Sequence, residues 1–470
     1  MKKRRILWVL GILLLAGVGG AAALFLSNRR DVTTTSEAAY DAYREATLNE
    51  SRFYFKEARV GFAKALELDP SFAMAMLGLA RQSSDRDQRV TLIKRAAREK
   101  PRLTERERLH VDLNLADVEK DRDGVLKVAR ELHEKYPDDV RSAMVLAGVQ
   151  QAKGNPDQAI KIFEEVLAVD PNNAQAYNQI GYYYGYRGDY DRAIDNLSKY
   201  QFISPDNANP FDSLGENQAN AGHYNEAIEN LNRALAIKPD FGPAYWHLGV
   251  VYEGMGEYAK AVQSYEKASE LEDNADMRRE YLTLAVRAAM IGEDAEASRK
   301  LIERIESLPI DPKSDYAKVG PSFMAVLLDL SQGRAAEAER RLKELRPALE
   351  ARFAENSKAG KVLPNMKAHF PQWNFLMAKA LEEQGRTDEA LKLYELNANP
   401  PNPFYDFNDR RWILEARAKV AAIVARKGDL DRAEKLIAEN RKWNPSWAPC
   451  GPSEAAVAEL RRAKVLAASK

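Results

Sequence analysis

The sequence contains a single cysteine, Cys450, among 470 residues, so an intrachain disulfide is excluded. It also lacks a dominant sign of charge: lysine plus arginine and aspartate plus glutamate each number 70, which gives a formal net charge of +0. Because an excess of positive charge attracts phosphate backbones, this balance disfavours nucleic acid as a partner. Stability must come from the packing of apolar side chains, which are 45% of the residues.

Motifs that carry catalytic chemistry are also missing from the sequence. The five histidines are scattered, and His133-Glu134 lacks the second histidine that a zinc protease helix requires. No glycine-rich phosphate loop and no nucleophile elbow occurs. Cys450 has no basic neighbour in sequence and is interpreted as an unreactive loop residue. We therefore expect no catalytic, cofactor-binding or metal-binding residues, no cofactor and no enzyme activity.

The N-terminus has the pattern of a membrane-targeting segment. Four basic residues at positions 2–5 precede an apolar run from Ile6 to Leu26. A helix of this length, at ~1.5 Å per residue, reaches roughly 30 Å, the thickness of a bilayer core. The length of the run predicts one transmembrane signal-anchor helix at 6–26. The charge bias predicts that residues 1–5 lie in the cytoplasm and the body on the periplasmic or extracytoplasmic side of the inner (cell) membrane. Residues 27–36 are mostly polar and are predicted to be a tether.

A cleavable signal peptide is the alternative interpretation of this segment. The alanines at 21–23 provide the small residues of a cleavage site, with residues 6–18 as the apolar core. The apolar residues 24–26 continue the run past that site and favour the uncleaved anchor. Cleavage would release the body into the periplasm as a soluble protein. A body that stays in the cytosol is a third alternative.

The strongest signal in the sequence is a repeat of 34 residues. Glycines recur at this spacing, each with an alanine five residues later and a large side chain four residues after the alanine, and prolines keep the same period. The members are Gly154, Gly188, Gly222 and Gly256; Ala159, Ala193, Ala227 and Ala261; Phe163, Leu197, Leu231 and Tyr265; and Pro171, Pro205 and Pro239. Because several positions recur together in register, the pattern predicts a stack of similar helix pairs.

Each repeated residue type has a structural reason. Gly181, Gly215 and Gly249 interrupt the apolar stripe of the first helix of a repeat, so that the second helix can approach closely. The glycine at the end of the first helix suits a left-handed cap, and the proline ends the second helix. Each pair leaves an apolar face that the next pair covers.

This pattern resembles the tetratricopeptide repeat, whose period is also 34 residues. The resemblance covers about residues 37–450 and implies an all-α, right-handed α-α superhelix of about eleven hairpins. The expected parts are degenerate hairpins at 37–139, regular repeats at 140–273, a further repeat at 274–310, irregular hairpins with loop insertions at 311–450 and a capping helix at 451–470. Residues 68–73 and 103–109 also resemble repeat regions of bacterial signalling proteins, which hints at a bacterial source.

Two insertions interrupt the period. Residues 355–370 are polar, and residues 397–411 contain Pro400, Pro401 and Pro403, which exclude a helix there. Aromatic residues cluster around the insertions, and we favour a role in filling the irregular core over a docking surface. They are Phe370, Trp373, Phe375, Phe404, Tyr405, Phe407 and Trp412. An enzyme site hidden in residues 311–411 is the alternative to a purely binding function.

The resemblance also implies where a partner binds, because in this family the first helices of successive repeats line a concave groove. The residues at the groove positions are Arg141, Met144, Gln151, Gln175, Asn178, Tyr182, Asn209, Asp212, Glu216, Trp246 and Glu253. Their amides, aromatic rings and acids suit an extended peptide or another protein, although ordinary solvated helix positions are the alternative. The acids at 212 and 216 disfavour the C-terminal carboxylate of a chaperone. The sequence thus predicts a membrane-tethered scaffold.

One stretch departs from the overall charge balance. Residues 89–108 contain eight lysines and arginines against three glutamates. A solvated helix face is the favoured interpretation, with contact to anionic lipid headgroups or to an acidic partner as the alternative.

Overall fold

The structure, a computed structural model, describes residues 31–83, 85–153, 155–310, 315–358, 370–399 and 407–468. These residues form 23 α-helices and two 3-10 helices, and no strand occurs among them, so the predicted all-α class is confirmed for this part of the chain. Within the same residues, no helix has both the length and the apolar character that crossing a bilayer requires. The predicted transmembrane segment 6–26 lies outside the described residues.

The chain divides into two compact units, Met1–Ser142 and Ala143–Lys470. In the first unit, successive helices pack as pairs around one principal cluster of buried apolar side chains, from Ala39 to Val111. Its helices are α1 (Glu37–Ser51), α2 (Phe55–Leu68), α3 (Ala73–Arg81), α4 (Arg86–Arg98), α5 (Glu105–Val118) and α6 (Arg122–Lys135), with a 3-10 helix at Lys100–Arg102. Helix α7 (Val140–Ala152) carries the chain into the second unit.

The second unit continues the same plan, and its largest apolar cluster is continuous from Val250 to Val457. Its helices are α8 (Pro156–Val169), α9 (Ala174–Tyr186), α10 (Tyr190–Ile203), α11 (Ala208–Asn220), α12 (Tyr224–Ile237), α13 (Gly242–Gly254), α14 (Tyr258–Leu271), α15 (Ala275–Ile291), α16 (Ala295–Ser307), α17 (Asp315–Ser331), α18 (Ala335–Lys358), α19 (Pro371–Glu383), α20 (Thr387–Ala398), α21 (Phe407–Arg426), α22 (Leu430–Trp443) and α23 (Gly451–Ala468), with a 3-10 helix at Ala448–Cys450.

The glycines perform the two roles that the sequence predicts. Gly188, Gly222 and Gly256 have φ values of 75°, 81° and 78°, which is the left-handed region expected for a helix cap. A Cβ atom added at Gly249 would lie 2.5 Å from the ring of Tyr265, so the notch makes room for that ring. Gly154 lies outside the described residues. After α15 the left-handed conformation falls one residue later than the glycine: Gly292 has φ −76° and Glu293 has φ 59°.

The two predicted insertions are shorter than expected, because helices extend into them. Helix α18 continues through Lys358, and α21 already begins at Phe407, within the range expected to be non-helical. The prolines end at Pro403, and the first turns of α21 carry Arg411, which is 2% exposed and forms an ion pair in the interior. Burial of that side chain therefore outweighs the turn-forming composition of the preceding residues. The C-terminal helix begins at the expected position, Gly451.

The predicted tether is not free over its described part. The amide and the hydroxyl of Thr33 donate to the carboxylate of Glu107 at 2.6 and 2.7 Å. The hydroxyl of Thr34 and the amide of Thr35 donate to Asp69 Oδ2 at 2.6 and 3.1 Å. Both carboxylates are buried, so these bonds are strong. The polar composition that suggested a tether supplies the donors that fix residues 33–35. We call residues 31–36 the stem.

Candidate functional site

The predicted groove residues divide into a buried and an accessible set. Four are buried: Asn178, Asn209, Asp212 and Glu253. The other seven are partly or well exposed: Arg141, Met144, Gln151, Gln175, Tyr182, Glu216 and Trp246. Arg141 belongs to the first unit, where its guanidinium lies 4.0 Å from Glu50, and the remaining ten belong to the second.

Three successive first helices, α9, α11 and α13, are connected by a polar network at these positions. The hydroxyl of Tyr182 donates to Glu216 Oε2 at 2.7 Å. On the next repeat, His247 Nδ1 lies 2.7 Å from Asp212 Oδ1, and its Nε2 lies 3.7 Å from Glu216 Oε2. The network thus spans three repeats and orients the acidic side chains from one helix to the next.

The histidine in this network is charged at neutral pH. Burial lowers the pKa of His247, but the charges of Asp212 and Glu216 raise it by more, and the net result is a pKa of about 9. The pKa of the Tyr182 hydroxyl is raised well above its usual value by burial and then by Glu216, so it remains a hydrogen-bond donor. The cluster is therefore an imidazolium held between two carboxylates.

His247 is a residue that the sequence did not identify as part of this site. The signal that was available is the pair of acids at 212 and 216, four residues apart on one helix face. Two acids that face an adjoining helix favour a cation there, and His247 is the basic residue on the next first helix.

Glu253, the last predicted groove residue, is directed into the protein. Its side chain is fully buried and pairs with Arg287 of α15 and with Arg411 of α21, the latter at 3.4 Å. The hydroxyl of Tyr265 donates to the same carboxylate at 3.0 Å. Arg287 also pairs with Glu415. This cluster joins a regular repeat to helix α21, which with α22 forms what we call the C-terminal hairpin. Because Glu253 is fully buried within the cluster, it is not available to a partner.

The C-terminal hairpin also contacts the turns of the regular repeats. Asn444, just after α22, accepts a hydrogen bond from Tyr224 at 3.1 Å and donates one to the carbonyl of Ala219 at 3.2 Å. A Cβ atom at Gly222 would lie 2.9 Å from Pro445, and one at Gly254 would lie 3.0 Å from Trp447. We call these contacts of residues 444–448 with residues 219–224 and 254–256 the seam. Nothing in the repeat pattern predicts it.

A cavity of about 390 Å³ lies in the irregular half of the second unit. Helices α15, α17, α18, α19 and α21 contribute its walls, which combine apolar side chains with arginines and acids. The guanidinium of Arg287 lies 5.1 Å from the ring of Trp412, a cation–π contact at the wall. The lining residues are Asp276, Glu280, Thr283, Leu284, Arg287, Gly320, Phe323, Met324, Leu327, Arg352, Gln372, Arg411 and Trp412.

Most of the described aromatic residues around the insertions belong to the core. Trp373 and Phe375 are 9% and 7% exposed, and Phe370 and Trp412 pack against the same apolar cluster. For these four the interpretation as core filling is confirmed. Phe404 and Tyr405 lie outside the described residues, and Phe407 is described only as the first residue of α21.

Groups that support catalysis or metal binding are sparse where the structure describes the chain. Cys450 is buried, in a 3-10 helix rather than the predicted loop, and burial raises the pKa of its thiol well above the usual value. Across the described ranges, no group of three or more histidine, cysteine, aspartate or glutamate side chains is arranged to hold a metal ion.

Comparison with known proteins identifies the repeats. Models of the tetratricopeptide repeat match residues 119–179, 174–207, 219–256 and 242–275, so the chain contains tetratricopeptide repeats. No curated protein sequence matches the chain.

Several solved structures are similar to parts of the chain. A crystal structure of MamA is 27% identical and covers 34% of this chain and 92% of its own, with a TM-score of 0.30. A fragment of MamA from Desulfovibrio magneticus RS-1 is 20% identical over 36% and 93%, with a TM-score of 0.30. The APC/C hetero-tetramer Cut9-Hcn1 is 13% identical over 89% and 76%, with a TM-score of 0.47.

Proposed function

We propose that this chain, which carries tetratricopeptide repeats, is a non-enzymatic scaffold that binds a partner protein or extended peptide along the first helices of its regular repeats. The observation that carries the proposal is the row of accessible side chains on α9, α11 and α13, namely Gln175, Tyr182, Glu216 and Trp246. A buried polar layer made by Asp212 and His247 lies next to them and holds Glu216 in place. Rigid positioning reduces the entropy that binding costs.

These partly exposed groups define the chemistry of the partner. The indole of Trp246 provides an aromatic surface for an apolar or cationic side chain, and the carboxylate of Glu216 accepts hydrogen bonds from a basic or amide group. A partner segment that alternates basic and apolar side chains matches this row, whereas a terminal carboxylate would be repelled by the acids.

We further propose that residues 6–26 anchor the scaffold in a bacterial inner membrane, with the body in the periplasm. The support is the length of the apolar run and the basic residues at positions 2–5 before it. The alternatives are a periplasmic protein released by cleavage and a body that stays in the cytosol. Protease protection of the full chain in sealed spheroplasts and inverted vesicles distinguishes them, since only a periplasmic body is cut in spheroplasts.

The groove is tested with the full chain carrying a photo-crosslinking amino acid at Gln175 in living cells. Partners captured there are quantified for the chain with Tyr182→Phe and Trp246→Ala, and for a control with Asp195→Ala and Lys199→Ala, two exposed residues of the second helix α10. Asn178 and Asp212 are left intact because both are buried. We expect at least about tenfold less capture for the first variant and no change for the control. Equal capture by both variants overturns the groove proposal.

The cavity supports a second candidate function, the binding of a small molecule. Its volume of about 390 Å³ lies in the range of small-ligand sites, and its walls join apolar side chains to a few charged ones. Native mass spectrometry of the full chain tests this candidate: a bound molecule that is lost on Met324→Trp, which fills the cavity, supports it. If the full chain shows only its own mass under gentle conditions, the small-molecule candidate is wrong and the scaffold function is the one that remains.

A further inference from the structure

The stem fixes the N-terminal end of the described chain against the helices of the first unit. Thr33 is bonded to Glu107, and Thr34 and Thr35 are bonded to Asp69. Only five residues, 27–31, separate Leu26, the end of the apolar run, from Val32, so six residue steps connect the two. Fully extended, they span at most ~20 Å. If residues 6–26 lie in a bilayer, the surface around Asp69 and Glu107 is held within that distance of the headgroups.

A basic surface lies immediately beside the stem. The guanidinium of Arg95 donates to the carbonyl of Pro70 at 3.2 Å, and that of Arg102 donates to the carbonyl of Ser71 at 2.5 Å. Both carbonyls belong to the loop that starts with Asp69. Lys94 and Arg98 are exposed on the same helix, α4. We call Lys94, Arg95, Arg98 and Arg102 the basic face.

The positive charge of the basic face is largely uncompensated by acids. Arg102 pairs with Glu99 at 3.1 Å. Arg95 donates to a backbone carbonyl, which carries no net charge and therefore does not neutralise the guanidinium. The two other glutamates of the stretch are engaged elsewhere, Glu105 with Lys135 and Glu107 with the stem. The excess predicted from the sequence for residues 89–108 therefore survives in the folded unit at this face.

We propose that the basic face of α4 lies against the anionic lipid headgroups of the membrane that the N-terminal segment enters. The proposal rests on the membrane anchoring proposed above. Juxtamembrane basic clusters are attracted to anionic lipid, and the attraction is confined to within a Debye length, ~8 Å at physiological salt. The connection to the apolar run spans at most ~20 Å, so it is short enough to let the basic face approach the headgroups to within this range, and the attraction then holds it there.

The composition of α4 fits a lipid surface better than a protein partner. Its exposed side chains are polar or charged, and no apolar side chain of the helix is exposed. Protein interfaces draw most of their energy from buried aromatic and apolar anchors surrounded by a rim, which this helix face lacks. Headgroups require positive charge alone.

The experiment uses the full chain in vesicles of phosphatidylcholine alone or with 30 mol% phosphatidylglycerol, about the proportion that gives a strongly negative surface. A fluorophore is attached at Thr91→Cys, an exposed position of α4 that carries no charge, or at Asp123→Cys, at the start of α6. Buried Cys450 is not labelled in the folded protein. Lipids with a quencher on the headgroup report proximity to the membrane.

We expect quenching at position 91 to be at least about threefold stronger in anionic than in neutral vesicles and to be lost in 1 M salt, with little change at position 123. Lys94→Gln with Arg98→Gln should abolish the difference. Lys127→Gln with Arg130→Gln, two exposed cations of α6, should preserve it. Arg95 and Arg102 are retained because they hold the loop after Asp69.

The outcomes separate the two proposals. If the full chain does not float with neutral vesicles, the anchor proposal fails. If it floats but position 91 is quenched equally in both vesicle types, or the α4 and α6 variants behave alike, the lipid-facing proposal fails and the anchor stands. If a polyglutamate peptide binds the full chain, loses that binding with Lys94→Gln and Arg98→Gln, and quenching at position 91 shows no preference for anionic vesicles, the basic face binds an acidic protein and the proposal is overturned.

Discussion

Glu253 and its two arginines illustrate the asymmetry of buried charge. An ion pair in the interior contributes little net stability over apolar packing, because both charges lose their hydration. Removal of one partner is different, since the remaining charges then stay buried without compensation. Arg287 shows this environment, because burial lowers the pKa of its guanidinium to about 10 although Glu415 opposes the shift.

Glu253→Gln is therefore expected to lower the free energy of unfolding of the second unit by about 3 kcal/mol. The side chain keeps its size, so the loss reports the two buried cations, Arg287 and Arg411, which Glu415 alone no longer balances, rather than a cavity. Urea unfolding followed by tryptophan fluorescence measures it. Glu303→Gln, in an exposed pair with Arg299, is the matched control and should leave the unfolding curve almost unchanged. Similar unfolding curves for the two variants would show that Glu253→Gln leaves no costly excess of positive charge in the interior.

The imidazolium of His247 gives the second unit a dependence on alkaline pH. Its folded pKa of about 9 lies above the value of about 6.5 for an unfolded histidine. The stabilisation is therefore complete below about pH 6.5 and is lost as the pH rises through about 9. The total is on the order of 3 kcal/mol. Unfolding measured between pH 6 and 10 should show this decline, and His247→Gln should remove it; a variant that declines as steeply as the unmodified chain would refute the assignment.

At the scale of the helix pair, packing is controlled by the notch glycines. A Cβ at Gly249 would meet the ring of Tyr265, whereas one at Gly148, on the exposed side of α7, would meet nothing within 4 Å. Gly249→Ala should cost about 2 kcal/mol through overpacking. Gly148→Ala should raise stability by about 0.5–1 kcal/mol, because alanine favours the helix. Thermal unfolding of both variants provides the comparison, and a loss of stability at both positions would mean that overpacking is not the cause.

The stem is held by hydrogen bonds to carboxylates that lie 34 to 74 positions later in the chain. Thr34→Val removes the 2.6 Å bond to buried Asp69, a charge-assisted bond, and weakens the neighbouring amide bond of Thr35. Amide hydrogen exchange over residues 33–36 should accelerate by at least about tenfold. Thr91→Val is the control, because its hydroxyl bonds only a carbonyl on the surface of α4. Equal exchange in the two variants would mean that the threonine bonds do not hold the stem.

The helix pairs were predictable, and most of their long-range contacts were not. The positions of Gly188, Ala193 and Leu197 determine a hairpin through contacts within one repeat, so a single sequence reveals them. The burial of Glu253 depends on Arg411, 158 residues later, and the periodic pattern contains no information on which distant hairpin supplies that charge. His247 is an intermediate case, since its acidic partners lie only one repeat earlier and were visible as a pair.

At the scale of the whole molecule, the seam changes how the second unit is expected to unfold. In an open array each repeat touches only its neighbours, and stability is a sum of local terms. Here Tyr224 and Asn444, 220 residues apart, share a buried hydrogen bond, and the cluster around Glu253 adds a second connection between the regular repeats and α21. Opening of the C-terminal hairpin therefore exposes polar groups of the regular repeats as well.

We expect hydrogen exchange to report one opening free energy for α11–α14 and α21–α22, because neither group can open without breaking the seam. Asn444→Ala removes the bonds to Tyr224 and Ala219 and should lower the opening free energy of α21–α22 by about 2 kcal/mol, separating it from that of α11–α14. Asn397→Ala is the matched control: this buried asparagine bonds only Pro371 and Asn374, within its own hairpin. It should weaken α19–α20 while the other two groups still open together. If exchange instead shows that α21–α22 opens separately in the unmodified chain, the seam does not couple the two groups of helices. The second unit then unfolds as an open array, and opening of α21–α22 alone exposes the buried side of α13, with Glu253, to a partner.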